Sequence, residues 1–131
     1  MEREERSSLL VAFASRTGNV RRFVTKLGVR TVQIAEEMRV DEPFILVTYT
    51  TGFGEVPRRV TRFLQQNSAL LVGVAASGNR NWGETFCGSA DVIARTYDVP
   101  IISKFELSGT ERDVNSFLER AEALWPVGIL S

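Results

Sequence analysis

The sequence predicts an α/β fold in which a five-stranded parallel sheet carries helices on both faces. Five short apolar runs alternate with stretches of helical periodicity, the pattern of strands joined by crossover helices. Three of these runs are followed by loops rich in glycine, hydroxyl and amide side chains, at residues 15–19, 50–54 and 77–82. Because such loops meet at the carboxyl edge of a parallel sheet, they predict one shared ligand site.

The first half of the chain supplies three of the strands. Residues 9–14 form a continuous apolar run, typical of a strand buried on both faces. Helical spacing of apolar residues predicts a helix over residues 19–27, which Gly28 ends. Its expected buried side chains are Val20, Phe23, Val24 and Leu27. Residues 31–34 and 44–48 are the second and third strands, with no helix predicted between them.

The second half repeats the alternation. A helix is predicted from Pro57, whose fixed φ suits a first helical turn, and residues 70–76 form the fourth strand. Gly73 in that strand indicates a close approach of backbone. The next helix is predicted over residues 84–97, the fifth strand over 101–105, and a last helix from residues 108–111 to Trp125, where Pro126 is expected to stop it. The expected buried side chains of the two middle helices are Val60, Phe63, Leu64, Phe86, Ala90, Ile93 and Ala94.

Composition is that of an ordinary globular chain. Its 131 residues suit a single domain over residues 1–131, with the polar, aperiodic residues 1–8 expected to be a disordered leader. Sixteen basic residues balance sixteen acidic ones, so no global field favours nucleic acid or an anionic membrane. No apolar stretch approaches the ~18 residues that a membrane span requires. Neither nucleic acid nor membrane is therefore an expected partner.

The scarcity of reactive side chains limits the chemistry. The chain has one Cys and no His, which excludes an intramolecular disulfide framework, a zinc site and a His-based catalytic triad. A single Cys fits a reducing compartment, and we expect a cytoplasmic location. Difficult chemistry would have to come from a bound cofactor.

The first loop has two interpretations. Thr17 and Asn19 are good helix-capping residues in any protein. The same loop could instead hold a phosphate, because a helix N-terminus offers free N–H groups and the positive end of its dipole, and Gly18 lets the backbone approach closely. It matches neither the Walker A loop nor the G-x-G-x-x-G dinucleotide fingerprint.

The other two loops also allow two interpretations each. Gly52 and Gly54 could form a plain turn, or could let the peptide beside Phe53 change orientation against a ligand. Trp82 could be a partly buried core aromatic, but its sequence neighbours are polar or glycine, which favours stacking on a flat heteroaromatic ring. Taken together, the three loops favour a flavin mononucleotide (FMN).

The three loop motifs resemble those of flavodoxins, and more closely those of the NrdI family, the small flavodoxins of class Ib ribonucleotide reductase systems. The resemblance rests on residues 15–20 (SRTGNV), 49–57 (YTTGFGEVP), 76–84 (ASGNRNWGE) and 104–110 (KFELSGT). It covers the chain from about Leu9 to Trp125. It implies a flavodoxin-like sheet of strand order 2-1-3-4-5.

The resemblance also implies a ligand, a task and partners. The ligand is non-covalent FMN, with residues 15–20 on the phosphate, 50–54 beside the ring and 77–87 on its far side. The task is to reduce O2 to superoxide for assembly of the manganese–tyrosyl radical cofactor, with the class Ib radical subunit, a flavin-reducing electron donor and O2 as partners. This is an accessory redox role, without a catalytic acid or base on the chain. The expected FMN-binding residues are Ser15, Arg16, Thr17, Gly18, Asn19, Val20, Thr50, Thr51, Gly52, Phe53, Gly54, Ser77, Gly78, Asn79, Asn81, Trp82, Gly83, Phe86 and Cys87.

The chain departs from ordinary flavodoxins in two respects. Val20 replaces a hydroxyl-bearing residue of the phosphate loop, and Arg58, Arg59 and Arg80 lie where flavodoxins are typically acidic.

There are two rival functions. One rival is a general flavodoxin serving other reductases. The other is a phosphorylation-dependent receiver, but the ends of the first and third strands lack the acidic cluster that such a receiver needs.

Overall fold

The computed structural model describes residues 9–52 and 54–130, and for Trp82, Glu84, Thr85 and residues 126–130 it describes the backbone alone. The expected leader at residues 1–8 and the side chains of Phe53 and Trp82 therefore lie outside the described part. The strands are β1 (Leu10–Phe13), β2 (Arg30–Gln33), β3 (Phe44–Tyr49), β4 (Leu71–Gly78) and β5 (Ile101–Glu106). All neighbouring strands pair in parallel, in the order β2-β1-β3-β4-β5, which confirms the predicted fold.

Helices cover both faces of this sheet. They are α1 (Asn19–Leu27), α2 (Arg58–Asn67), α3 (Gly88–Tyr97) and α4 (Glu111–Leu130), with short 3-10 helices at Ser68–Leu70 and Arg80–Thr85. Helices α1 and α4 pack on one face, where the Phe23 ring stacks on Phe105 at 3.8 Å and meets the edge of Phe117 at 5.6 Å. Helices α2 and α3 pack on the other, where Phe44 meets Phe63 edge to face. Within the described helices, none is both long and apolar enough to cross a membrane.

The predicted apolar faces of the first two helices are confirmed. Their predicted core side chains are each at most 5% exposed: Val20, Phe23, Val24, Leu27, Val60, Phe63 and Leu64. The backbone approach predicted at Gly73 is with the Pro100 carbonyl oxygen, 3.3 Å from a Cβ placed there, but the tighter contact is with a side-chain atom, the Ile102 Cδ1, at 2.8 Å. Predicted strand limits differ from the observed ones by one or two residues.

No helix joins β2 to β3, as predicted, and a buried amide holds the connection in place. The Asn67 side chain is 3% exposed and lies at the end of α2. Its Oδ1 accepts from the Val40 N–H at 2.8 Å, and its Nδ2 donates to the carbonyls of Met38 and Phe63, each at 2.8 Å. One side chain therefore satisfies two backbone groups of the irregular segment before β3 and bonds a third, the Phe63 carbonyl, within α2.

The predicted start of the third helix at Glu84 is wrong. Residues 80–85 form a 3-10 helix interrupted at Gly83 (φ 61°, ψ −120°), and Cys87 has a positive φ of 54°. The helical hydrogen-bond ladder cannot pass through these conformations, so α3 begins at Gly88. Ala90 and Ile93 are buried as predicted, whereas Phe86 and Ala94 are half-buried against the same layer.

The predicted end of the last helix is also wrong, because α4 continues past Pro126 to Leu130. Proline has a helical φ of its own, so the chain can keep a helical conformation through residue 126. It does so although proline lacks the N–H that would donate to the Glu122 carbonyl and its ring crowds that carbonyl. At the other end, Thr110 and Asp113 cap the helix reciprocally. The Thr110 Oγ1 accepts from the Asp113 N–H at 3.2 Å, and the Asp113 Oδ2 accepts from the Thr110 N–H at 2.8 Å.

Candidate functional site

An open pocket of about 230 Å³ lies where the carboxyl ends of the central strands meet. Ten predicted site residues line it: Arg16, Thr17, Asn19, Val20, Thr50, Gly52, Ser77, Gly78, Asn79 and Cys87. The described predicted residues Ser15, Gly18, Thr51, Gly54, Asn81, Gly83 and Phe86 lie in the same loops but not in the pocket wall. The structure thus brings the three predicted loops to one place.

The N-cap residue of α1 contributes no side-chain cap. Gly18 occupies the N-cap position with a φ of 95° and makes no side-chain hydrogen bond to the helix. The interpretation of Thr17 and Asn19 as simple helix caps is therefore wrong, because the Asn19 Nδ2 donates to the Thr17 Oγ1 at 3.3 Å instead. The Ser15 Oγ accepts from one N–H of the first turn, that of Arg21, at 3.3 Å. A helix start with glycine at the N-cap and small hydroxyl residues beside it suits an anion.

Two arginines add positive charge to this loop. Arg16 lines the pocket. Arg22 lies outside the loop, and its Nη1 would lie 2.9 Å from a Cβ placed on Gly18. The guanidinium end could shift to relieve this contact, so it is the φ of 95° that favours glycine at residue 18. The Arg22 Nη2 donates to the Asn19 Oδ1 at 2.7 Å, and its Nε donates to the Ser108 Oγ at 2.9 Å. These bonds join the first turn of α1 to the loop after β5.

The second loop is closed on itself and held against α3. Thr51 and Glu55 exchange two backbone hydrogen bonds, of 3.0 and 2.7 Å, across the residues between them. The Thr50 Oγ1 lies 2.8 Å from the buried Ser89 Oγ in the first turn of α3. This geometry fixes the start of the loop, and Phe53 lies outside the described residues.

Polar contacts fix the backbone of the third loop. The Asn79 Oδ1 accepts from the Asn81 N–H at 2.9 Å, which starts the 3-10 helix. The Arg80 guanidinium lies over the Phe86 ring at 4.7 Å and pairs with Glu106 at 3.6 Å, while its backbone N–H donates to the same carboxylate at 3.2 Å. The loop is thereby tied to the end of β5.

A buried thiol lies in the pocket wall beside β4. Cys87 is 1% exposed, and its Sγ lies 3.3 Å from the Ala76 carbonyl and 3.6 Å from the Phe105 carbonyl. Burial raises the pKa of the Cys87 thiol to about 12, although the nearby Lys104 charge opposes the shift. At neutral pH the group is therefore a protonated, apolar wall rather than a nucleophile.

Sequence reasoning missed two residues of the pocket wall, Tyr49 and Leu107. Tyr49 ends β3 just before the second loop, and its hydroxyl accepts from the Arg59 Nη2 at 3.2 Å. An aromatic residue at the end of a strand was a signal that could have identified it. Leu107 follows β5 with a φ of 54°, which no sequence pattern indicates for a leucine.

The site offers anion and ring binding rather than acid–base chemistry. Among the side chains that the structure describes, which exclude that of Glu84, no group of three or more His, Cys, Asp or Glu residues could hold a metal ion. The pocket wall includes Arg16 and other residues of the loop that leads into α1, together with Tyr49, Cys87 and Leu107. The residues present therefore fit a ligand that joins a phosphate to an apolar ring.

Solved structures with the same fold are flavodoxins. A short-chain flavodoxin associated with a non-canonical PDU bacterial microcompartment superposes with a TM-score of 0.68 at 21% identity, covering 92% of this chain and 97% of that one. Flavodoxin 1 of Bacillus cereus gives 0.61 at 18% identity, covering 87% and 95%. A Fusobacterium nucleatum flavodoxin bound to flavin mononucleotide gives 0.51 at 15% identity, covering 91% and 95%. At these identities the likeness shows the fold alone.

Sequence relatives are closer. Protein NrdI of Bacillus licheniformis is 54% identical over 113 residues, which is 86% of each chain. Protein NrdI of Macrococcus caseolyticus is 44% identical over 117 residues, covering 88% of this chain and 91% of that one. The profile of the family described as "NrdI Flavodoxin like" matches residues 11–119, from β1 into α4. With the fold, the three loops and these matches in agreement, the chain belongs to the NrdI flavodoxin-like family.

Proposed function

We propose that the chain binds one FMN without a covalent bond, in the pocket at the carboxyl edge of the sheet. The observation that carries this proposal is the N-terminus of α1, where the N-cap residue Gly18 has no side chain to occupy the space and Arg16 and Arg22 supply positive charge. A phosphate there would meet backbone N–H groups of the first turn and the helix dipole. Flavodoxin-fold structures with FMN and the family of this chain support the same ligand.

The three loops take different parts of this ligand. Residues 15–20 hold the phosphate, residues 50–54 border the ring, and residues 77–87 frame its far side with Trp82 as the stacking partner. The chain binds and orients the ligand and excludes water from one side of it. When bound and reduced, FMN supplies the one-electron reduction of O2 to superoxide.

The proposed task is assembly and maintenance of the manganese–tyrosyl radical cofactor of a class Ib ribonucleotide reductase. The partners are the radical subunit, an electron donor that reduces the flavin, and O2, in the cytoplasm. Support comes from membership of the NrdI family. Exposed charged residues around the second loop, among them Glu55 and Arg58, provide a surface for docking.

The test has two stages. The purified protein should be yellow, and acid release should yield one FMN per chain. Reduced protein is then mixed with O2 and the manganese-loaded radical subunit, and tyrosyl radical is measured by electron paramagnetic resonance. We expect a radical yield well above that obtained with superoxide generated in bulk. Equal yields with and without the protein would contradict the assignment to radical assembly.

A general flavodoxin that donates electrons to other reductases is the second candidate. It is favoured by the likeness in fold to flavodoxins of other organisms. The two candidates share FMN binding and differ in the partner. The same resonance experiment separates them, because a general flavodoxin would be reduced and reoxidised without raising the radical yield.

A further inference from the structure

Leu107 is exposed where an apolar residue has no structural reason to be. Among the side chains that the structure describes, it is the one large hydrophobic that is exposed, at 49%. It belongs to neither of the two hydrophobic layers that cover the sheet. Leu107 is instead one of the residues that line the pocket, together with Arg16, Thr17 and Asn79.

The backbone of Leu107 is also in an unfavourable conformation. Its φ is 54°, in the left-handed region that Gly, Asn and Asp tolerate and a branched aliphatic residue does not. The Gly109 N–H donates to the Glu106 carbonyl at 2.9 Å, so Leu107 is the first central residue of a tight turn. Turns with a positive φ at that position are dominated by glycine, asparagine and aspartate. Leucine is therefore a costly choice on two counts, exposure and backbone strain.

Hydrogen bonds on both sides hold the residue in this conformation. The Leu107 N–H donates to the Gly78 carbonyl at 3.0 Å, and the buried Ser77 Oγ donates to the Leu107 carbonyl at 2.6 Å. The next residue, Ser108, donates from its Oγ to the Asn19 Oδ1 at 2.8 Å and accepts from Arg22. The frame thus joins the end of β4 to the first turn of α1, the two elements between which the pocket opens.

We propose that Leu107 is a further FMN-binding residue, whose side chain is held by this frame as an apolar wall of the pocket. The inference rests on the proposed binding of FMN and adds a contact from the loop after β5 to the three loops already assigned. The bound ligand would cover the exposed leucine side chain. The free protein therefore keeps a strained backbone at Leu107 because the side chain is needed in the ligand-bound state.

The experiment separates the side chain from the backbone conformation. Leu107→Gly removes both the apolar contact and the strain, Leu107→Ala removes the contact alone, and Leu107→Met retains an apolar side chain. FMN affinity is measured by quenching of flavin fluorescence, and the melting temperature is measured on the FMN-free protein. The matched control is Asp98→Gly, because Asp98 also has a positive φ (56°), at the end of α3 and outside the pocket wall.

We expect Leu107→Gly and Leu107→Ala to raise the Kd for FMN by about fivefold to tenfold. This is the effect of losing the burial of about half a leucine side chain against the ligand. Leu107→Met should stay within about twofold of wild type, as a volume-conserving change. The FMN-free Leu107→Gly protein should melt no lower than wild type, because glycine relieves the strain. Asp98→Gly should leave the Kd unchanged.

Two outcomes would overturn the inference. One is a wild-type Kd in both Leu107→Gly and Leu107→Ala. The other is a Kd that rises equally in Asp98→Gly, which would indicate a general effect on the fold. A wild-type protein that does not bind FMN at all would instead refute the proposed function, and this inference with it.

Discussion

The backbone of Gly88 lies against the backbone of Gly54. A Cβ placed on Gly88 would come within 2.8 Å of the Gly54 Cα and 2.9 Å of its carbonyl oxygen. The first residue of α3 therefore sets the position of the second loop, and the nearby Thr50–Ser89 hydroxyl contact reinforces it. Glycine at residue 88 is a requirement of packing rather than of backbone conformation.

Gly88→Ala should accordingly displace the second loop. Alanine would otherwise favour the helix by up to about 1 kcal/mol, so any loss of stability reflects the clash. We expect a lower free energy of unfolding in urea and a Kd for FMN raised by about tenfold, equivalent to about 1.4 kcal/mol. Gly73→Ala is the matched control, because its Cβ would clash with Ile102 in the sheet, away from the pocket. It should lose stability without losing FMN affinity.

Trp82→Ala should weaken FMN binding if this residue stacks on the ring. Stacking of a base on an aromatic side chain contributes about 1–3 kcal/mol, which corresponds to roughly a tenfold to hundredfold rise in Kd. Trp82→Phe should retain most of the affinity. Fluorescence titration of the FMN-free variants provides the measurement, and an unchanged Kd in Trp82→Ala would refute the stacking role.

The buried thiol predicts a loss of stability in alkaline solution. Because burial raises the pKa of Cys87 to about 12 in the folded chain, the folded state keeps a proton that the unfolded state releases above its ordinary pKa of 9.0. Stability contributed by the neutral thiol is complete below pH 9 and falls as the pH rises towards 12. The slope is at most about 1.4 kcal/mol per pH unit.

The measurement is urea unfolding at several pH values between 8 and 10.5, on wild type and Cys87→Ala. Other groups titrate in this range, so the difference between the two proteins is the quantity of interest. It should shrink as the pH rises above 9, since only the wild type carries the perturbed thiol. Parallel stability curves would show that Cys87 ionises freely in the fold.

Asn67→Ala should be strongly destabilising without affecting the site. The substitution removes three hydrogen bonds that satisfy Val40, Met38 and Phe63, each worth about 1 kcal/mol net, so we expect a loss of about 3 kcal/mol. The control is Gln66→Ala, which removes one exposed bond to the Glu36 carbonyl. FMN affinity should be unchanged in both, because the segment lies away from the pocket.

Arg58→Glu should slow docking to the radical subunit. Arg58 is exposed at the start of α2, next to the second loop, and charge there changes the encounter rate more than the ligand site. We expect a lower on-rate, with a difference from wild type that diminishes at high salt, and an unchanged Kd for FMN. Arg95→Glu makes the same change of charge in the last turn of α3, at the opposite end of the helix from the pocket, and should dock normally.

The sequence alone was sufficient to predict the structure wherever a single local pattern determines it. Continuous apolar runs located the strands, and the spacing of residues such as Phe23 and Phe63 located the buried faces of α1 and α2. The loops could be grouped because parallel strands end at the same edge. Their sequences therefore indicated a shared pocket before any contact was known.

The sequence alone could not predict the structure where contacts between residues far apart in the chain determine the conformation. Helix α3 starts late because Gly83 and Cys87 adopt positive φ, in a segment that the Arg80–Glu106 pair ties to β5. Leu107 was missed for the same reason. Its carbonyl accepts from Ser77 and its N–H donates to the Gly78 carbonyl, and these bonds hold it in a conformation that leucine does not favour by itself. The end of the last helix was mispredicted because α4 continues through Pro126 despite the missing N–H and the crowding by the proline ring.

The bond from Arg22 to Ser108 spans 86 positions of the chain, and that separation governs when the pocket can exist. A ribosome releases α1 long before β5 and the turn that follows it. During most of its synthesis the chain therefore has the first turn of α1 without the wall that completes the pocket, and contacts of such long range are among the slower ones to form. If FMN binds as proposed, its capture is accordingly a late event for each new chain, after nearly all of the sheet has been synthesised.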